Sequence, residues 1–175
     1  VGDNFPKALA TVLHHEGGWA DHPKDPGGAT MKGVTLATYS KFLGRDATKE
    51  ELRNISDAEL QQIYRGLYWD RISGDGLPSG LDLVVFDMAV NAGPGRAAKI
   101  LQEVLGVTVD RAIGPKTLTM AKTRPASELI REFSDAREEF YKRLPIYATF
   151  GKGWLRRVDE VETEAYKLVH TGVRS

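Results

Sequence analysis

The chain of 175 residues and 19.3 kDa has room for one compact domain, or two small packed halves, around a real hydrophobic core. It contains no cysteine, which excludes disulfide staples and thiolate metal centres. Lysine plus arginine balance aspartate plus glutamate at 24 each, so no global field points to nucleic acid. The longest apolar stretch, residues 81–90, is interrupted by Asp82 and Asp87, and the first residues lack the basic and apolar segments of a signal peptide. A soluble protein without stable membrane insertion is expected.

Phe5, Ala8, Leu9, Val12 and Leu13 follow helical spacing after Asp3 or Asn4 as N-cap, with Pro6 in the first turn, and Gly17-Gly18 ends this first helix. Glycines, prolines and short β-prone pieces over residues 19–34 predict a loop or small hairpin. Thr35 caps a short helix to about Leu43. Ser56 with Glu59 makes a capping box ahead of Leu60, Ile63, Tyr64 and Leu67, predicting a helix to about Trp69. A turn-rich connector over residues 74–80 leads to Leu81, Val84, Val85 and Met88 on a central buried helix that stops near Asn91-Ala92-Gly93. Pro94 opens the next helix, whose inner face carries Ala97, Ile100, Leu101, Val104 and Leu105 before Gly106. Further helices are expected over residues 115–122, 125–147 and 153–170, the last presenting Trp154, Val158, Val161, Ala165 and Leu168.

Glu16 follows Val12 by four residues and Leu13 by three, which puts it on the core-facing stripe at the C-terminus of the first helix. Desolvation and the negative end of the helix dipole there both favour a protonated carboxyl, as a general acid requires. The two glycines that follow remove side-chain bulk and leave an open edge for a substrate. In glycoside cleavage such an acid protonates the leaving oxygen, while a second carboxylate or a positioned water acts at the anomeric carbon. Asp21 and Asp25 are candidate partners, and Thr30 and Thr35 can orient water or bind sugar hydroxyls. The alternative is that Glu16 is simply paired with an arginine and that Asp25-Pro26-Gly27-Gly28 is only a turn.

The segment His15-Glu16-Gly17-Gly18-Trp19, then Asp25-Pro26-Gly27-Gly28-Ala29-Thr30 and Lys32-Gly33-Val34-Thr35, resembles the signature of glycoside hydrolase family 108, with Trp19 where that motif usually has tyrosine. Tyr68-Trp69 and Phe86-Asp87-Met88-Ala89-Val90-Asn91-Ala92-Gly93 resemble the family's later blocks. Val109-Asp110-Arg111-Ala112-Ile113-Gly114-Pro115-Lys116-Thr117 is similar to the turn of a peptidoglycan-binding helical module, with Arg111 in place of an expected glycine. If that glycine served a positive φ, the turn here should differ. The resemblance implies lysozyme-like N-acetylmuramidases, a family that includes phage-type endolysins and muramidases assisting secretion. By that resemblance Glu16 is the catalytic glutamate and the scissile bond is the β-1,4 link from N-acetylmuramic acid to N-acetylglucosamine.

The expected architecture is mainly α, a lysozyme-like α+β fold with a catalytic region at residues 1–93 and a helical peptidoglycan-binding-like region at 94–175 packed on it. Asp25 and Thr30 join Glu16 as catalytic candidates, and Trp19, Asp21, Thr35, Trp69 and Asn91 are candidates for substrate binding. Tyr68 lies on its helix stripe and is expected in the core, whereas Trp69 lies off it and is kept as a sugar-stacking surface. Asp87, inside an apolar helix, must pair with an arginine or reach the cleft. The basic run 152–157 is followed at once by Asp159, Glu160, Glu162 and Glu164, so it suits a solvated helix better than a nucleic-acid site. His14 and His15 point about 100° apart on their helix and find no third ligand, so no metal is expected, nor any organic cofactor. The expected partner is the glycan strand of peptidoglycan, met by a monomer made in the cytoplasm and acting in the periplasm or cell wall. Rival expectations are a lytic transglycosylase using the same glutamate, or a silent peptidoglycan-binding or phage structural module.

Overall fold

The computed structural model describes residues 4–21 and 28–171. The first helix, α1 (Phe5–Glu16), buries Phe5, Ala8, Leu9 and Val12 and ends at Gly17, whose φ of 79° suits a residue without a Cβ. Asn4 stands at the N-cap position without capping. Its side-chain amide instead donates to Ser79 Oγ at 3.0 Å and Asp82 Oδ2 at 2.9 Å, tying the start of α1 to the start of the helix at Leu81–Ala92.

A small antiparallel sheet follows in the order β1 (Trp19–Ala20), β2 (Thr30–Met31) and β3 (Val34–Thr35). The hairpin β2–β3 turns on Lys32 and Gly33, with φ of 49° and 83°, the double positive φ of a type I′ turn. Register pairs Thr30 with Thr35 and Ala20, and Met31 with Val34 and Trp19. Buried Val34 therefore marks the inward face, shared by Met31 and Trp19, and the threonines take the other.

Thr35 caps α2 (Leu36–Leu43) by accepting from Thr38 N at 3.1 Å. A short helix absent from the sequence expectation, α3 (Lys49–Arg53), starts with its own capping box of Thr48 and Glu51. The expected box of Ser56 and Glu59 opens α4 (Asp57–Tyr64). After it the chain makes one π-helical turn, Arg65–Trp69, and a 3₁₀ turn, Asp70–Ile72. The wider turn advances the buried stripe by one position. As a result Leu67 is 39% exposed, Tyr68 only half-buried, and Trp69 fully buried.

Helix α5 (Leu81–Ala92) is the hub: Leu81 through Ala89 are all buried, and it packs against α1, α6 (Pro94–Leu105), α8 (Ala126–Lys142) and α9 (Tyr147–Thr171). The short α7 (Pro115–Ala121) leans on α6. Before α7, Arg111 holds φ 64°, so arginine adopts the left-handed conformation that its glycine counterpart was expected to supply. Gln102 secures the turn: its Oε1 accepts from Asp110 N at 3.2 Å and Arg111 N at 2.9 Å, while its Nε2 donates to Asp110 Oδ1 and Ala112 O.

Helices α8 and α9 pack along one another, and the break between them falls at residues 143–146 rather than near Gly153. Pro145 cannot donate a helical hydrogen bond and ends the first helix. Gly151 lies inside the second, where its missing Cβ makes room for the Tyr147 ring: an added one would stand 2.3 Å from it. The chain is thus mainly α and lysozyme-like, with a small sheet after the first helix.

Candidate active site

Glu16 ends α1 with its side chain 20% exposed. Arg157 Nη1, from α9 at the other end of the chain, donates to Glu16 Oε2 at 2.9 Å. The tip of the β2–β3 hairpin covers Oε1: a Cβ on Gly33 would stand 2.9 Å from Glu16 Oε1 and 2.4 Å from Tyr64 Oη. Glycine here satisfies both a positive φ and a close approach. The Tyr64 hydroxyl donates to Lys32 O at 2.7 Å and so pins the hairpin against the glutamate. Burial first, and the nearby Glu16 carboxylate second, push up both the Tyr64 and the Tyr68 phenols.

Arg157 is itself held from behind. Its Nε donates to Asp87 Oδ2 at 3.0 Å and its Nη2 to Asp87 Oδ1 at 2.8 Å, while Arg137 Nη2 lies 2.8 Å from Asp87 Oδ2. Asp87 is fully buried on α5. Burial pushes its carboxyl up, but Arg137 and Arg157 outweigh burial and hold it below the usual aspartate range. Arg137 Nε also donates to Tyr141 Oη at 2.9 Å, and the Tyr141 hydroxyl donates to Asn91 Oδ1. One polar chain therefore runs Asn91, Tyr141, Arg137, Asp87, Arg157, Glu16, joining the two halves of the protein. Burial lowers Arg157, yet Asp87 and then Glu16 raise it more, so it is a permanent cation.

The structure distributes the sequence candidates unevenly. The arginine partner allowed for Glu16 is real, and Asp87 both pairs with arginine and reaches the cleft through it. Trp69 is a correction: it is 0% exposed, with its indole edge-on to Phe5 at 5.3 Å and Phe86 at 5.2 Å and its Nε1 donating to Asp75 Oδ1 at 2.9 Å. The π-turn that rotates it inward also removes it from any sugar surface. Thr35 caps α2 and donates to Thr38 Oγ1 at 2.9 Å, so its hydroxyl already serves the fold. Thr30 sits half-buried in the strand leading to the Lys32-Gly33 tip.

Asp21, at the end of β1, is 3.0 Å from Lys49 Nζ. Trp19 rests on the core with the Arg53 guanidinium 5.5 Å from its ring centroid. Asn91 is exposed in the last turn of α5. Asp25 lies outside the described residues. His15 Nε2 is 3.5 Å from Glu160 Oε2; burial chiefly lowers the imidazole, keeping it neutral near pH 7.

Arg157 was missed because the basic run 152–157 read as a solvated face. The signal was present: residue 157 lies three after Trp154 and four before Val161, on the stripe already assigned to the core. Its side chain is only 11% exposed.

Residues 9–93 match the family described as Glycosyl hydrolase 108, and residues 96–159 match the one described as Predicted Peptidoglycan domain. Among solved structures the chain is similar to Brucella abortus SagA, with 43% identity, a TM-score of 0.87, and coverage of 98% of this chain and 99% of that one. No curated protein matches it. Among the described residues no helix is long and apolar enough to cross a membrane, and no cluster of three or more histidines and carboxylates could hold a metal ion. With a carboxylate fixed at an open edge by both halves of the fold, the chain belongs to glycoside hydrolase family 108 and is a peptidoglycan hydrolase.

Proposed function

We propose that the chain is an N-acetylmuramidase that cleaves the β-1,4 bond between N-acetylmuramic acid and N-acetylglucosamine, with Glu16 as general acid. The observation that carries this is the setting of Glu16: a helix-end carboxylate, partly exposed beside glycines, with one oxygen on Arg157 and the other under the hairpin tip. A carboxyl so fixed is oriented before substrate arrives, which removes a reorganisation cost from the proton transfer.

Glu16 gives its proton to the glycosidic oxygen as the bond to the anomeric carbon breaks. The carboxylate left behind is stabilised by Arg157, which already donates to Oε2 at 2.9 Å. Water then bonds to the anomeric carbon and surrenders a proton to a second carboxylate. Asp25 is assigned that role, with Thr30 positioning the water; Asp21 is less suited because Lys49 already neutralises it. Such an enzyme acts where its polymer lies, in the periplasm or cell wall.

Mass spectrometry of the fragments released from purified cell walls tests the bond assignment. Reducing N-acetylmuramic acid ends are expected. Reducing N-acetylglucosamine ends, or anhydro-muramic ends from attack by the sugar's own hydroxyl, would overturn it.

A further inference from the structure

Helix α9 carries more than Arg157 on its inward side. Phe150, Trp154 and Arg157 are spaced four and three residues apart, so at about 100° per residue they fall within roughly 60° of one face. Further along, the same face is buried at Val158, Val161 and Ala165. Towards its N-terminus it runs past the core: Trp154 is half-buried, and Phe150, like Ile146 just before the helix, is 52% exposed. These two are the most exposed large hydrophobic residues among those described.

The aromatic rings are ordered against one another. Phe150 stacks on Trp154 with centroids 5.8 Å apart and planes 28° apart, and Trp154 lies 5.1 Å from Tyr141 at 35°. Tyr141 belongs to the polar chain that ends at Glu16. Phe150 and Arg157 are seven residues apart, about 10 Å along the helix axis. Residues 142–157 also hold no acid within a chain that is neutral overall; Arg157 is committed to Glu16 and Asp87 and Lys142 lies 3.7 Å from Glu139, which leaves Arg143, Lys152 and Arg156 to make the segment basic. A flat apolar ladder on a basic segment, on the helix face that leads to Arg157 and Glu16, suits a polymer of sugar rings bearing carboxylates.

We propose that Phe150 and Trp154 form an extended glycan subsite, a stacking platform for a sugar of the anionic strand remote from the one cleaved at Glu16. The strand leaves the catalytic edge past Arg157 and lays a pyranose face on the Phe150 ring. That path rests on the assignment of Glu16 as the acid, but the platform's binding can be measured without turnover.

The test is co-sedimentation with purified cell-wall sacculi in a Glu16→Gln background, so that binding is read without cleavage. Phe150→Ala and Phe150→Leu are expected to weaken binding about five-fold, and Phe150→Tyr to retain it. Leucine keeps apolar bulk and lacks a flat face, so it separates stacking from packing should alanine lower the melting temperature. Phe42→Ala, which removes another exposed ring, 38% exposed and remote in sequence, should leave binding unchanged. Three results would overturn the platform: Phe150→Leu binding like its parent, Phe42→Ala weakening it equally, or, with anionic lipid vesicles sedimented in parallel, the Phe150 variants losing the vesicles while keeping the sacculi. Lysis by the Glu16→Gln protein would instead sink the assignment of Glu16, and the same Phe150 series would then be read in the cold, before cleavage, so the two failures stay distinguishable.

Discussion

Replacing Arg157 by methionine separates its two jobs, because it anchors a buried charge and fixes the acid. Asp87, fully buried, loses the contacts at 3.0 Å and 2.8 Å from Arg157 and keeps only Arg137 at 2.8 Å. Removing one partner of a buried pair costs about 3–5 kcal/mol, and the surviving arginine places this case near ~3 kcal/mol. For a protein of this size that corresponds to a fall of roughly 6–12 °C in Tm. Arg157→Lys should recover part of the stability through its charge. One ammonium cannot span both Asp87 and Glu16 as the guanidinium fork does, so cell-wall lysis should stay well below the parent level. Thermal denaturation at pH 7 with lysis measured alongside is the assay. A Tm within about 1 °C of the parent in Arg157→Met would show that Asp87 does not depend on this arginine.

Gly33→Ala should cut lysis at least ten-fold, since the added Cβ meets Tyr64 Oη at 2.4 Å and Glu16 Oε1 at 2.9 Å; unchanged lysis would mean the hairpin is free to shift. Trp69→Ala should cost about 3–5 kcal/mol by opening a core cavity, with the KM of the surviving fold unchanged; a raised KM at normal Tm would return Trp69 to the substrate. Burial pushes Asp82 up to about 6, against its hydrogen bonds from Asn4, Gly80 and Leu83. An aspartate raised in the folded state contributes stability that is present below pH ~4 and lost as pH climbs through the folded value, so Tm should fall between pH 4 and 6.5, and Asp82→Asn should flatten that slope. Asp87, held low by its arginines, acts in the opposite sense below pH ~4, where its stabilisation is lost on acidification. Arg111→Gly should raise Tm by about 1–3 °C by relieving the left-handed arginine; a lower Tm would show that Gln102 has already removed the strain.

Helix starts and stops were legible where local chemistry dictates them. Thr35, Ser56-Glu59, Pro94 and the glycines at 17 and 106 act through their nearest neighbours, and each stands at the helix end expected of it. Thr48-Glu51 carried the same signal and was overlooked because the helix it opens spans only Lys49–Arg53. What periodicity could not give is a change of period. The π-turn at Arg65–Trp69 exchanged the fates of Tyr68 and Trp69, and no local residue type announces it. The break at Pro145 was legible and went unread.

For the site, Glu16 was visible from its stripe and its glycines, because the face of one helix is a local property. Its partner was not. Arg157 is 141 positions away, and a contact of that separation is set by how α5, α8 and α9 pack rather than by any spacing. Asp87 did hint at it, since a carboxylate in an apolar helix demands a cation from elsewhere.

The central claim is that Glu16 performs the proton transfer, and Glu16→Gln tests it most directly. The amide keeps the carboxylate's shape and can still accept from Arg157 Nη1, while it has no proton to give the leaving oxygen. With the fold confirmed by an unchanged circular dichroism spectrum, the variant is predicted to release no fragments above background from purified cell walls. Release at the parent rate would contradict the account.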